Sequence, residues 1–508
     1  MITNEAQVEH IGIDFGTTNI AVGGLIVDKD SKRAFRVLYG EDGVPFPSVI
    51  AVKYDYEKKK TVGQFGRKVK TETATFQENG YTVIKSIKTM LGDDEVFYDI
   101  GPERFSSTSI VEVLIRLIKR RLPNISRRNV DVTSATIAVP VDFTYTQREE
   151  LIKAFEKAGV KVNKIVSESM AAYIRNRESV AGLSNVMVFD WGGGTLDISL
   201  LKVEKGRVYE EATTGWKVAG DEIDERIAEY VHNQFVKASD GGIKTEFKKL
   251  STKDRLRLLN ECEKAKITFS DEDEIDEPAI ISLFDYCGEK KVYYKLFYSE
   301  FFEIIKPIVS DAISNIEEAL QRANKKLINL DAIIMVGGSS NLLPLQEVMK
   351  KDFEKERGIT IVYPDKPQWS VAEGAAIIDS VDCQYELNQD VAVVMSDRSR
   401  YPIVPKGSKI PFKGEPITFG TVDNATSANF ILVDNNDNVL GNITMPAKGF
   451  LGESFEVRGK IGNNLVALIS FKGNKMMTTV GEKKFEINKL SYYCDISEIE
   501  NYKFEIKE

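Results

Sequence analysis

His10-Ile11-Gly12-Ile13-Asp14-Phe15-Gly16-Thr17-Thr18-Asn19-Ile20-Ala21-Val22 decides the reading of this chain, because its plan is written twice. The second copy is Val186-Met187-Val188-Phe189-Asp190-Trp191-Gly192-Gly193-Gly194-Thr195-Leu196-Asp197-Ile198-Ser199-Leu200. Each is an apolar run, then Asp-aromatic-Gly, then a small or hydroxylated turn, then another apolar run. That pattern predicts strand, tight turn, strand, with the aspartate at the strand end facing the turn. One such hairpin is an ordinary surface turn; a pair predicts two related lobes that grip one ligand between them.

The chain has 508 residues, too many for one ordinary core, and two to four domains are expected. Apolar residues make up 42% and charged residues 29%, the balance of a soluble globular protein. With 77 acidic against 68 basic side chains the net charge is −9. That excess disfavours a nucleic-acid partner, since phosphate backbones are held by net positive surfaces. No apolar run approaches the ~20 residues that span a bilayer. Met1-Ile2-Thr3-Asn4-Glu5 lacks the basic-then-apolar plan of a secretion signal. Cys262, Cys287, Cys383 and Cys494 stand far apart without a CxxC pair, and read as free thiols of a reducing, cytoplasmic compartment.

Residues 1 to about 383 alternate strand and helix patterns. Ser134–Pro140, Asn163–Val166 and Ala332–Val336 read as strands. Gln147–Phe155, ending at Gly159, a segment opening at Glu168, Lys253–Thr268 and Ser299–Ala323 read as helices. From Asp390 to Ile487 short alternating runs sit between turn clusters, among them Ile417–Phe419, Asn429–Val433 and Leu465–Phe471. This predicts a small all-β sandwich. The expected boundaries are 1–383, a linker at 384–389, the sandwich at 390–490, and a short tail at 491–508.

No Gly-x-x-x-x-Gly-Lys-Ser/Thr run is present, so a P-loop is excluded. The hairpins offer another phosphate site. Backbone N–H groups of Gly16-Thr17-Thr18-Asn19 and Gly192-Gly193-Gly194-Thr195 can converge on anionic oxygens, since glycine lets the main chain approach closely. Thr17, Thr18 and Thr195 add hydroxyl donors. Asp14 and Asp190 would repel a bare phosphate, and make sense with Mg²⁺ held between them and the phosphates through waters. Gly337-Gly338-Ser339-Ser340 follows a buried strand and precedes a helix, a setting that suits a nucleoside or its phosphate and equally a plain turn. Glu263 and Lys266 share a helix face with Ser270 one turn on; they could bond ribose hydroxyls, although by themselves they favour a surface ion pair.

Taken in order, Asp14–Asn19, Asp190–Asp197, Glu261-Cys262-Glu263-Lys264-Ala265-Lys266 and Val336–Ser340 resemble the actin-like ATPase superfamily, and within it the 70-kDa heat-shock chaperones of the DnaK type. Ala138-Val139-Pro140 with Gln147-Arg148, and Ser167–Ala172, fit the same family. The resemblance covers residues 10–383 and, more faintly, the β region. It implies an α/β actin-like (ribonuclease H-like) two-lobe ATPase domain followed by an all-β sandwich of the substrate-binding kind. No C-terminal helical lid is expected after Leu490.

The resemblance also implies roles. Asp14 and Asp190 are the water-mediated Mg²⁺ partners, with Asp14 counted in the catalytic set. Thr17 and Thr195 contact the γ-phosphate. Lys88, in Ile87-Lys88-Thr89-Met90-Leu91-Gly92, neutralises the transferred phosphoryl group, with Lys85 as its competitor for that part. Glu168 and Asp197 orient the attacking water. Gly16, Thr18, Asn19, Gly192, Gly193, Gly194, Gly220 and Asp221 join the nucleotide-binding set. Glu263, Lys266, Ser270, Gly337, Gly338, Ser339 and Asn341 surround the adenosine. Pro140 and Arg148 form a relay from nucleotide to linker. ATP or ADP, Mg²⁺ and an additional K⁺ are the implied ligands. Extended or unfolded polypeptide, a J-domain co-chaperone and a nucleotide-exchange factor are the implied partners of a cytoplasmic monomer in protein folding and stress response.

Some positions depart from the family pattern. Asn341 stands where an adenine-stacking arginine is usual; a lost cation–π contact of ~0.5–2 kcal/mol weakens binding by about 2- to 30-fold. Gln368-Trp369 replaces an acidic pair, and Trp369 is expected near the base. Lys164 and Ser167 replace an Arg and an Asn, and Tyr385-Glu386-Leu387-Asn388 replaces the leucine-rich linker. These changes leave two main functions open: a lidless ATP-hydrolysing chaperone, and a nucleotide-switched regulatory or scaffold protein serving one dedicated partner. A small-molecule kinase and a filament-forming actin relative are the remaining readings.

Overall fold

The structure, a computed structural model, describes residues 7–28, 33–41, 43–93, 95–125, 132–381, 383–447, 449, 451–473, 482–487 and 490–500. The Met1–Glu5 opening, Asp382 and residues 501–508 of the expected tail lie outside that set.

Both hairpins form. Gln7–Phe15 pairs antiparallel with Asn19–Asp28, and Asn185–Trp191 with Leu196–Glu204. Their settings also match. Ser134–Val139 runs parallel to the first hairpin with Ala138 level with Asp14, and Ala332–Val336 runs parallel to the second with Val336 level with Asp190. One more parallel strand follows in each sheet, Lys161–Ser167 and Thr360–Val362. Ala332–Val336 is buried at every residue, as a parallel strand covered on both faces should be.

Helix Tyr145–Lys157 starts two residues before the apolar spacing suggests. Thr144 caps it: its hydroxyl accepts the Gln147 amide at 3.3 Å, and the Gln147 side chain accepts the Thr144 amide at 2.9 Å. Helix Glu168–Asn176 is capped by Ser167, whose hydroxyl accepts the Met170 amide at 3.2 Å. Helix Ser370–Ser380 packs between the first hairpin and helix Glu168–Asn176, and the latter helix also meets the strands of the second lobe. Two glycines permit that approach: a Cβ on Gly12 would lie 2.1 Å from the Ala372 carbonyl oxygen, and one on Gly374 would lie 1.8 Å from that of Ala171. Trp369, expected beside a base, instead packs fully buried against Ala21, Leu38 and Ala372. A large indole gains more from that apolar niche than from a polar cleft.

Beyond residue 390 the chain makes two antiparallel sheets. One orders Arg400–Val404, Val391–Val394, Ser427–Val433 and Val439–Pro446. The other orders Phe412–Lys413, Ser454–Ile461, Ala467–Gly473 and Lys483–Ile487, with Ile417–Gly420 also on Ser454–Ile461. Phe455, Val457 and Ile461 alternate inward. Phe430 sits among them, its ring 5.6 Å from that of Phe455 and 5.0 Å from that of Phe471. Leu465 and Val466 belong to the preceding turn rather than to a strand: Leu465 takes φ 60°, and its amide donates to the Gly462 carbonyl at 3.0 Å.

Residues 384–389 and the tail do more than connect. Tyr385–Leu387 and Tyr492–Asp495 are antiparallel strands, with Tyr385 opposite Cys494. Tyr492–Asp495 pairs in turn with Arg207–Trp216, the outer strand of the second lobe's sheet, placing Val208 opposite Cys494. The tail strand therefore lies between the linker and the lobe. One buried apolar cluster follows this path, from Met170 and Ile378 through Tyr385, Leu387 and Cys494 to Phe430 and Phe471. Truncating Phe430 to Ala is expected to cost about 3–5 kcal/mol, read as a lowered denaturant midpoint. A loss below about 1 kcal/mol, the scale of an unexceptional substitution, contradicts this packing.

Candidate functional site

The two turns touch. A Cβ on Gly193 would fall 2.7 Å from the Thr18 methyl carbon, and one on Gly194 would fall 3.4 Å from that of Thr17. A side chain at 193 would force the turns apart. The Gly192–Gly194 turn is also tied to its own lobe: the Gly192 carbonyl accepts the Gly220 amide at 3.2 Å and the Ser339 hydroxyl at 2.8 Å, and the Gly193 carbonyl accepts the Asp221 amide at 2.7 Å. The Thr18 hydroxyl is buried with no protein partner, which marks it as a group awaiting a ligand.

Beneath the turns four carboxylates gather. Asp14 and Asp190 end equivalent strands, and Asp197 stands directly opposite Asp190 across the second hairpin. Glu168 opens its helix beside them. Lys88, from the short turn Ile87–Met90, reaches in with its Nζ 2.7 Å from Glu168 Oε1, and is only 4% exposed. Thr195 donates its hydroxyl to Asp197. A cavity of about 150 Å³ borders Glu168, Asp190 and Asp197, with Pro140, Asp142 and Arg322 also on its wall.

Burial and mutual repulsion set the electrostatics of this cluster. Burial, and then the Glu168 charge, lift Asp14 to about 7, while Lys88 pulls it back only partly. The same causes lift Asp197 to about 6 and push Asp190 well above the carboxylate range. Burial alone would lower Lys88, but Glu168, Asp14 and Asp197 outweigh it and hold the ammonium above its usual value. Among the described residues no three His, Cys, Asp or Glu side chains are placed to ligate a metal directly. The unpaired Thr18 hydroxyl, the glycine cradle and the clustered carboxylates are a donor set that fits a nucleotide carrying a hydrated cation.

The adenosine set divides. Glu263 pairs with Lys70 of the first lobe at 2.6 Å. Lys266 Nζ donates to the Gly220 carbonyl at 2.9 Å and to Asp224 at 2.8 Å, and Ser270 donates to the Lys266 carbonyl at 3.0 Å. Gly338 faces open space, and Asn341 ends the turn Gly338–Asn341 that starts there. Gly337 needs its φ of 80°, and a Cβ there would strike Asp190 Oδ1 at 2.6 Å. Gly16 and Asn19 close the first turn, where a Cβ on Gly16 would meet the Asn19 carbonyl at 2.3 Å. Lys85 lies near Lys70, Asp221 and Glu263 rather than among Asp14, Glu168, Asp190 and Asp197, which leaves the central place to Lys88.

The two relay residues are joined through backbone. The Phe143 amide donates to the Pro140 carbonyl at 3.1 Å, and Arg148 Nε donates to the Phe143 carbonyl at 2.9 Å. Arg148 also donates to the carbonyls of Val141 at 3.1 Å and Asn464 at 3.0 Å, the latter in the β region. The sequence reading missed Lys70, Asp224, Asp142 and Arg322. They carry no local pattern, and only the folding of distant segments brings them to the cleft.

A carboxyl that titrates higher in the native than in the unfolded chain stabilises the native state below its unfolded value, and that contribution is lost as pH rises through the native value. Ligand-free protein is therefore expected to lose stability between about pH 4 and 7, where Asp197 and Asp14 ionise at about 6 and about 7. Asp14→Asn should raise the thermal midpoint at pH 8 and leave it nearly unchanged at pH 4. An equal shift at both pH values contradicts the assignment.

A model of the Hsp70 protein family matches residues 10–398. The matched stretch carries both hairpins, Lys88, Glu168 and the Gly337 turn, and stops within the first sheet of the β region. Members of that family have an actin-like ATPase fold, bind ATP and ADP, and act as ATP-dependent chaperones on unfolded polypeptide with co-chaperones. Among the described residues no helix is long and apolar enough to cross a membrane. With well over half of its length matched, this chain belongs to the Hsp70 family.

Proposed function

We propose that the protein hydrolyses magnesium-ATP between its two hairpins and uses the nucleotide to control how its β domain holds extended polypeptide. The observation that carries this reading is Lys88 fixed 2.7 Å from Glu168 and facing Asp14, Asp190 and Asp197. Phosphoryl transfer needs charge neutralisation and a positioned water more than covalent chemistry. Magnesium, when bound, neutralises the phosphate oxygens. Lys88 stabilises charge on the transferred group. Glu168 and Asp197 hold and orient the attacking water, and the rise in Asp197 suits it to accept a proton near neutral pH. Thr17, Thr18 and the Gly192–Gly194 amides bind the phosphates, and Gly337–Ser339 with Glu263 and Lys266 encloses the nucleoside.

In this reading residues 1–383 form the ATPase unit and 390–490 the polypeptide-binding unit, joined through 384–389. Arg148 supports a link between them, since it contacts both Phe143 near the cleft and Asn464 of the sandwich. J-domain and exchange-factor partners follow from the family. One observation favours the second reading, a nucleotide-switched scaffold for a single partner: the tail strand pairs with both linker and lobe and fixes the sandwich against the ATPase unit. Fluorescence anisotropy with extended apolar peptides separates the two. Binding that differs between ATP and ADP supports the chaperone, and no binding in either state supports the scaffold.

Lys88→Ala is expected to slow hydrolysis roughly 10²–10³-fold, as loss of one preorganised charge-stabilising donor does. A single-turnover assay checks it, and an unchanged rate shows that Lys88 is misassigned.

A further inference from the structure

Glu210 takes no part in the site described above, yet it touches both neighbours of Glu168. It lies on strand Arg207–Trp216, and its carboxylate accepts hydrogen bonds from the Ser167 and Ser169 hydroxyls, the same Oε1 taking both. Ser167 is the cap of the helix that Glu168 opens, and Ser169 is buried. A carboxylate that grips the residues before and after Glu168 fixes the backbone from which that side chain reaches Lys88. Arg148, whose charge acts on Glu210, holds the Asn464 carbonyl of the β region. Burial raises the Glu210 carboxyl, and the two serines and Arg148 draw it back toward the charged form that accepts both hydroxyls. The strand is itself braced nearby, since Val208 pairs with Cys494 of the tail strand.

We infer that Glu210 is a positioning residue for Glu168, acting through the hydroxyls of Ser167 and Ser169. The inference rests on the ATPase reading above and deepens it. Nothing in the local sequence, Tyr209-Glu210-Glu211-Ala212, distinguishes this glutamate from its neighbour Glu211, which pairs with Lys325 instead. Only the fold separates their tasks.

The test uses the full chain and measures single-turnover ATP hydrolysis beside equilibrium ATP affinity. E210M keeps the side chain's length and removes its acceptors, while E210Q keeps an acceptor oxygen. E210M is expected to slow hydrolysis about 10- to 100-fold, the scale of a misplaced catalytic group, with ATP affinity within about 2-fold of wild type because the phosphate turns are untouched. E210Q should restore most of the rate. Adding Ser169→Ala to E210M should cost nothing further, since both changes break the same contact. E210M hydrolysing at the wild-type rate overturns the inference, and so does E210M losing rate and affinity together with no rescue by E210Q. A wild-type chain that hydrolyses no ATP overturns the ATPase reading and this inference with it; wild-type turnover with E210M unaffected overturns the inference alone.

Discussion

Everything at the cleft depends on one buried pairing, the Lys88 ammonium against Glu168 with Asp14, Asp190 and Asp197 around them. Four carboxylates facing one lysine is an arrangement no stability argument selects. Like charges opposite one another across a hairpin, as Asp190 and Asp197 are, weaken the sheet that carries them. Burial first, and neighbouring carboxylate charge after it, push the titration of Asp14, Asp190 and Asp197 upward. Such a cluster makes physical sense when a cation and an anionic substrate enter together and neutralise it. The lobes exist to hold it: each ends one strand on an aspartate, and the Gly193–Thr18 contact brings the two ends to the same point.

From that point rigidity spreads outward. Helix Ser370–Ser380 packs on the first hairpin through Gly12 and on helix Glu168–Asn176 through Gly374. The helix that carries Glu168 is thus clasped by helix Ser370–Ser380, by its Ser167 cap and by Glu210. The same region meets the β region. Arg148 reaches Asn464, Asn464 reaches Glu149 at 2.7 Å, and Tyr492 donates to the Leu465 carbonyl at 2.9 Å. A buried guanidinium serving three backbone carbonyls is costly to disturb, because each carbonyl would be left unpaired. These contacts join the β region to the start of helix Tyr145–Lys157 and the turn before it.

Much of this was legible in the chain. The doubled Asp-aromatic-Gly motif gave both hairpins and the glycine-lined turns, since backbone geometry at a tight turn restricts residue choice strongly. Apolar runs such as Ala332–Val336 marked buried parallel strands. The misreadings have physical causes. Trp369 is expected near a base because Gln368-Trp369 stands where the family carries an acidic pair, whereas the niche formed by Ala21, Leu38 and Ala372 decides where an indole packs. Leu465 read as strand because it is apolar, yet it turns with a positive φ and its carbonyl anchors Tyr492. The pairing of Tyr492–Asp495 between linker and lobe could not be read at all, since strands that meet across more than a hundred residues share no local pattern. Glu210 was hidden for the same reason.

The central claim is that the two hairpins hold one magnesium nucleotide between them. Titration calorimetry of ATP into the full chain, with Mg²⁺ and again with EDTA, tests it most directly. Saturable one-to-one binding that is markedly tighter with Mg²⁺ is the predicted result, because the ion relieves the charge on Asp14 and Asp190. No binding, or binding of equal strength with and without the ion, would contradict it.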